Sequence, residues 1–186
     1  NGATINLGAG SLTKTGDGAL TIFKSNNTID GGVFVYGGSV TMASTGTYTN
    51  PLGSGAITVN GGSLELNTSS QIASSVTIGA NGGSINSSTG VLKSSSFSIN
   101  SASQVTISAI LADPASGTGA LTKSGTGTLI LTGANTYTGS TTINAGTLQV
   151  GNGSTVGSIA SASAISIASG ATLAYNLSSY TDYAAG

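Results

Sequence analysis

Cysteine, histidine, tryptophan and arginine are all absent from these 186 residues, and charged side chains make up only 5% of them. Without histidine, a Ser/His/Asp triad cannot be assembled from the abundant serines. Four lysines against five acids leave a net charge of −1 with no basic cluster. That removes the electrostatic footprint on which nucleic-acid or anionic-membrane binding depends. Disorder needs low hydrophobicity and high net charge, whereas this chain is 38% hydrophobic, so it folds. The helix formers Glu, Lys, Gln and Arg are nearly missing. No apolar run is long enough to cross a bilayer. The start, Asn1-Gly2-Ala3, has neither an initiator methionine nor a leader pattern, and reads as an excised piece of a longer protein. The lack of cysteine is compatible with bacterial export.

What is present is glycine, 30 residues of it, with Ser, Thr, Asn and scattered β-branched residues. Short alternating segments recur: LTK at 12–14, ALTIF at 19–23, VFVY at 33–36, AITV at 56–59, SLEL at 63–66, SVTI at 75–78 and QVTI at 104–107. Apolar residues at every second position turn one side of each segment to a core. Gly31-Gly32, Gly37-Gly38, Asn60-Gly61-Gly62 and Asn81-Gly82-Gly83 separate them and permit sharp turns.

The chain also repeats itself. Residues 10–67 are written again at 119–176: GSLTKTGDGALTIF begins at Gly10 and GALTKSGTGTLILT at Gly119. Leu12, Lys14, Gly16, Gly18 and Leu20 recur as Leu121, Lys123, Gly125, Gly127 and Leu129. After a slip of one residue, Asn27 recurs as Asn135 and Gly38 as Gly146. The whole chain, 1–186, is therefore expected to form a single segment with tandem copies at 10–118 and 119–186. Asn-Gly beside alternating strands also signals antiparallel hairpins. Strands of three to five residues and a weaker self-similarity at roughly 20 residues favour a stacked solenoid instead. The expectation is an all-β parallel β-helix of about eight or nine coils, roughly 40 Å long.

The pattern G-[SA]-L-T-K-[TS]-G-x-G-x-L-x-[IL], followed by N-T-[IY] and a glycine turn, resembles the autotransporter-associated β-strand repeat, also called the passenger-associated transport repeat. It is carried by Gly10–Met42 and, more faithfully, by Gly119–Val150. The resemblance implies a right-handed parallel β-helix, an exported Gram-negative passenger at the cell surface, and roles in adhesion, aggregation or secretion-coupled folding.

Individual residues add little chemistry. Lys14 and Lys123 end equivalent strands and read as solvated turn charges. Asp17, Asp30, Glu65, Asp113 and Asp182 lie at least ten residues apart, and the least implausible carboxylate pair, Asp30 with Glu65, does not suggest glycoside hydrolysis. The calcium-solenoid pattern G-G-x-G-x-D is missing. No catalytic residue, metal ligand or cofactor is expected. Asn6, Asn60, Asn67, Asn86, Asn100, Asn144 and Asn176 follow strands; stacked amide ladders and local turn bonds are both open for them. Tyr36, Tyr48, Tyr137, Tyr175, Tyr180 and Tyr183 offer rings for sugar stacking, but Tyr137 replaces Ile29 of the first copy and reads as core. Asn26-Asn27-Thr28 and Asn67-Thr68-Ser69 match a glycosylation triplet that arises readily in so Ser/Thr-rich a chain.

The reading is a non-enzymatic extracellular module, a rigid stalk or self-associating fibre segment of a bacterial surface protein in adhesion, aggregation, biofilm or matrix. Its expected partner is itself, end to end or laterally. The alternative is a glycan-binding adhesin using Tyr36 and Tyr48 on one long face. Leu12, Leu20, Ile22, Val40, Ile57, Val59, Leu64, Leu121, Leu129, Leu131, Ile143, Leu148 and Ile165 are expected to face one interior. Gly38 and Gly146 are expected at equivalent bends with positive φ.

Overall fold

The computed structural model describes residues 5–23, 25, 27–43, 48–153, 157–160 and 163–177. Alternation of apolar and polar residues over two to five positions yields 21 short strands and no helix among them. Every strand pair is parallel, so each turn of chain lies on the turn before. Two eight-stranded sheets run along the axis. One face carries β2 (Leu12–Lys14), β5 (Val33–Val35), β7 (Ile57–Val59), β10 (Val76–Ile78), β13 (Ser96–Asn100), β16 (Ala120–Ser124), β18 (Thr141–Ile143) and β20 (Ile165–Ile167). The second carries β3 (Ala19–Ile22), β6 (Ser39–Met42), β8 (Ser63–Asn67), β11 (Ser84–Ser87), β14 (Val105–Ile107), β17 (Thr128–Leu131), β19 (Thr147–Val150) and β21 (Thr172–Tyr175). The protein is thus a β-solenoid of about eight coils. Parallel strands rise roughly 4.8 Å per coil.

A third, interrupted face closes the section. It pairs β1 (Asn6–Gly8) with β4 (Thr28–Ile29), and joins β9 (Gln71–Ile72), β12 (Val91–Lys93) and β15 (Ile110–Ala112). Elsewhere it thins to single bridges, Thr49 to Ser70 and Ala134 to Ser158.

Register stacks like on like. On the first face Val33, Ile57, Val76, Phe97 and Leu121 lie one above another and point inward. One continuous apolar cluster runs from Ile22 to Leu148. Burial of such a column is the main favourable term in the fold. Of the residues expected inside, Ile22, Val40, Ile57, Val59, Leu64, Leu121, Leu129, Leu131, Ile143 and Leu148 are buried. Leu12 and Leu20 are half-buried against the cluster because they belong to the first coil of the two long sheets. Ile165 departs from the expectation: it is 41% exposed. Its register with Thr141 aims it inward, but β20 ends its sheet and no strand among the described residues covers it.

Candidate functional site

The repeated Leu-Thr-Lys places lysine two residues after an inward leucine, hence on the same side of the strand. Lys14 and Lys123 occupy the column that Val35, Val59, Ile78, Ile99 and Ile143 fill in other coils. They are not solvated turn charges: Lys123 is 1% exposed, and Lys14, in the first coil, is half-buried. Their heads turn along the column into the bend between the first and second faces. Lys123 Nζ donates to Ser124 O at 2.6 Å, Gly125 O at 2.7 Å and Ala145 O at 3.1 Å. Lys14 Nζ repeats the set with Thr15 O at 2.7 Å, Gly16 O at 2.7 Å and Gly37 O at 3.2 Å. An ammonium has three donors, and each is used. The third acceptor lies in the next coil, so each lysine ties two coils together. Burial pushes Lys123 below the usual lysine range.

The glycines of the motif shape this clamp. Gly16 and Gly125 adopt φ of 69° and 70° and bend the chain so that its carbonyls converge. Gly38 and Gly146, with φ of 58° and 66°, pass directly over the preceding turn. A Cβ on Gly146 would lie 2.7 Å from Gly125 O and closer still to Gly127 O; on Gly38 it would meet Gly18 O and, at 2.6 Å, Gly16 O. Gly18 and Gly127 therefore supply the backbone against which the next coil rests.

A second clamp sits at the interrupted third face. Asn135 is buried; its Oδ1 accepts from Leu111 N at 2.9 Å and its Nδ2 donates to Ser158 O at 2.7 Å. Asn27 does the same between Ile5 N, 2.7 Å, and Pro51 O, 2.6 Å. A side-chain amide presents the same donor and acceptor as a peptide. Each asparagine thus carries the hydrogen-bond ladder across a corner where strands lapse, linking the coil before to the coil after. Among the described residues Gln71 ties its coil only to the coil before it, accepting from Leu52 N at 3.0 Å and donating to Gly53 O at 2.6 Å. Its role was invisible in the repeat, since it has no counterpart there.

Near the second asparagine, Tyr137 packs against Phe97 with ring centroids 6.2 Å apart. Its hydroxyl bonds Thr141 Oγ1 at 2.8 Å, which bonds Ser163 Oγ at 2.9 Å. Burial above all pushes the phenol up to about 12. Tyr137 is core, as its alignment with Ile29 implies; both are fully buried.

Carboxylates are dispersed. Asp30 follows a third-face strand and accepts from Ser54 Oγ at 3.1 Å, while Glu65 lies on the second face and accepts from Asn86 Nδ2 at 2.8 Å. Among the described residues no three His, Cys, Asp or Glu gather as a metal site, and no buried side-chain N or O lacks a hydrogen-bond partner. Tyr36 and Tyr48 are not brought to one face. Tyr36 continues the first face and is 48% exposed; Tyr48 lies half-buried on the third, where its carbonyl accepts from Ser70 N. Tyr180, Tyr183, Asp182 and Asn26 lie outside the described residues. The strand-following asparagines act one by one: Asn60 Oδ1 accepts from Asn81 N, and Asn67, at φ 52°, donates to Met42 O.

The two clamps and their glycine bends recur at the two places that match a family model, the passenger-associated-transport-repeat, at residues 12–42 and 121–150. The chain carries two passenger-associated-transport-repeats. It is similar to the adhesin BmaC autotransporter of Brucella suis biovar 1 (strain 1330), 38% identical over 140 residues. That alignment covers 71% of the chain and spans 4% of the relative's length. No solved structure gives a significant match.

In this repeat protein, Lys123→Met should keep the apolar column but strand three carbonyls. We expect a loss of about 1–3 kcal/mol in urea titration. Lys14→Met, beside solvent, should lose under about 1 kcal/mol. Equal losses would show that burial is not what makes the clamp matter.

Asp113 is expected to contribute to the acid limb of stability. Burial raises its carboxyl, but the Gly119 and Thr138 N–H groups and the Thr138 hydroxyl outweigh this and hold it below its ordinary 3.8. A carboxylate depressed by folding contributes stability above its unfolded value, and that contribution is lost as pH falls through the folded one. Melting temperature should therefore stay nearly flat from neutral pH to about 4 and decline below that. Asp113→Asn should flatten the decline; an unchanged acid limb would assign it elsewhere.

Proposed function

We propose that the chain is a rigid, non-enzymatic length of an exported bacterial surface protein, a stalk or fibre segment serving adhesion or aggregation, whose ends join further coils of the same kind. The observation that carries this is the state of the last coil among the described residues. Ile165, Ile167 and Tyr175 are 41%, 48% and 49% exposed, although their register with Thr141, Ile143 and Val150 sets them in inward columns. Such residues are positioned for the interior of a coil stacked above them. A solenoid buries its core only by stacking, and an open strand edge invites pairing. Similarity to an autotransporter adhesin that this chain spans by only 4% supports a module within a long surface protein.

Sedimentation of the purified chain should show concentration-dependent association, and electron microscopy thin unbranched rods. Ile165→Thr combined with Ile167→Thr should weaken association without unfolding the upstream coils. A chain that stays monomeric at every concentration would leave covalent continuation as the only source of further coils.

A further inference from the structure

The outer side of the first face holds chemistry that neither clamps nor ends use. We infer that it binds a linear neutral glycan lying along the solenoid axis, a surface beyond the structural role proposed above. Parallel register places Thr13, Thr58, Thr77, Ser98, Thr122 and Thr142 in one outward row, interrupted only by Phe34. The row offers one hydroxyl per coil at a spacing of roughly 4.8 Å. Each hydroxyl is both donor and acceptor.

Beside the row the ladder continues into Tyr36, which adds a phenol, and into Asn60, Asn100 and Asn144, which add amides on the same flank. Phe34 and Tyr36 stack in near-parallel planes, 7° apart with centroids at 6.4 Å, and Tyr36 is exposed. A flat ring with a negative face suits the C–H face of a sugar. Charge selects among ligands. Among the described residues, Lys14 and Lys123 turn inward, Asp17 lies exposed in the bend between β2 and β3, Glu65 lies on the second face, and Asp30, Lys93 and Asp113 belong to the third face or its turns. The row itself carries no charge, so nothing on it would repay the desolvation of an acidic polymer. Repeated hydroxyls with an aromatic platform and no charge match a neutral polymer of repeated hydroxyls. A second copy of the chain would instead have to bury one hydroxyl row against another around two protruding rings.

The test titrates the 186-residue chain calorimetrically with linear neutral hexasaccharides of glucose, galactose, mannose and N-acetylglucosamine, with heparin hexasaccharide as the acidic control. Saturable binding to at least one neutral probe, insensitive to salt, is the expected result. Tyr36→Ala should weaken it about tenfold or more, and Thr77→Val with Thr122→Val should do likewise, with circular dichroism unchanged. Both changes are on the outside, and the second is near-isosteric. The inference is overturned by absence of saturable binding to every neutral probe, by salt-dependent preference for heparin, by variants that bind like the wild type, or by a lateral dimer that Tyr36→Ala dissolves.

Discussion

Leu129→Asp is expected to lower stability by about 4 kcal/mol or more, enough to remove the cooperative melt of a marginal domain. Leu129 is fully buried in β17, stacked between Val105 below and Leu148 above. A carboxylate there would sit in an apolar column, among carbonyls and amides already paired within the sheet. The buried Lys123 ammonium already spends its three N–H groups on backbone carbonyls, so the coil must open to water or the acid must take up a proton. Because neighbouring coils share the column, damage at one coil removes the support of two others. The outward neighbour Thr128 provides the control: Thr128→Asp should change stability by under about 0.5 kcal/mol. Circular dichroism and thermal melting distinguish the two. A Leu129→Asp protein that melts like the wild type would mean that this side chain does not face the core.

Gly146→Val should cost about 3 kcal/mol or more, by two separate mechanisms. Its φ of 66° strains any branched side chain, at about 1–3 kcal/mol. The added Cβ also runs into the carbonyls of Gly125 and Gly127 in the coil below, and the Gly125 carbonyl also accepts from Lys123. Relieving the clash means separating two coils at a turn that the lysine holds closed. Gly170→Ala separates the mechanisms, since Gly170 has φ of 80° but a Cβ there would meet nothing within 4 Å. That variant should lose only the strain, about 1 kcal/mol. Equal losses in urea titration would show that coil-to-coil contact at Gly146 contributes nothing.

The clamps show where reading the residues succeeded and where it stopped. That Lys14, Lys123, Asn135 and the glycines belong to one repeated structural motif was visible from their recurrence. That lysine is buried was present in the strand parity, since Leu-Thr-Lys alternates like Ile-Thr-Val. Charge argued the other way, and only the converging carbonyls of the bend resolve the conflict. Three acceptors replace three waters, so the ammonium stays bonded while its stem fills an apolar column. Asn135 is similar: its side chain finds Leu111 and Ser158, partners from two other coils, 24 and 23 residues away. No local pattern could name them.

Tyr36 and Tyr48 mark the opposite case. Both are aromatic residues near strand ends, and nothing in their sequence neighbourhoods distinguishes them. Coil geometry puts one on the first face beside Phe34 and the other on the third. Ile165 likewise has a core residue's neighbourhood, yet it is exposed because its place in the stack is last.

By itself, the sequence determined the fold class. Alternation over three to five residues with glycine between allows only short strands and bends, and near-repetition at coil length makes each strand fit the one before it. The lack of histidine, cysteine and clustered charge likewise removed most catalytic and metal chemistry from consideration. Tertiary structure decided which residues share a face, which carbonyls converge on a lysine, and which inward side chains are left uncovered. Apart from the two carbonyls next to each lysine, those are relations between residues 18 to 25 positions apart. They arise only when one coil lies in register on another, because hydrogen bonds between coils, rather than preferences within a segment, set that register.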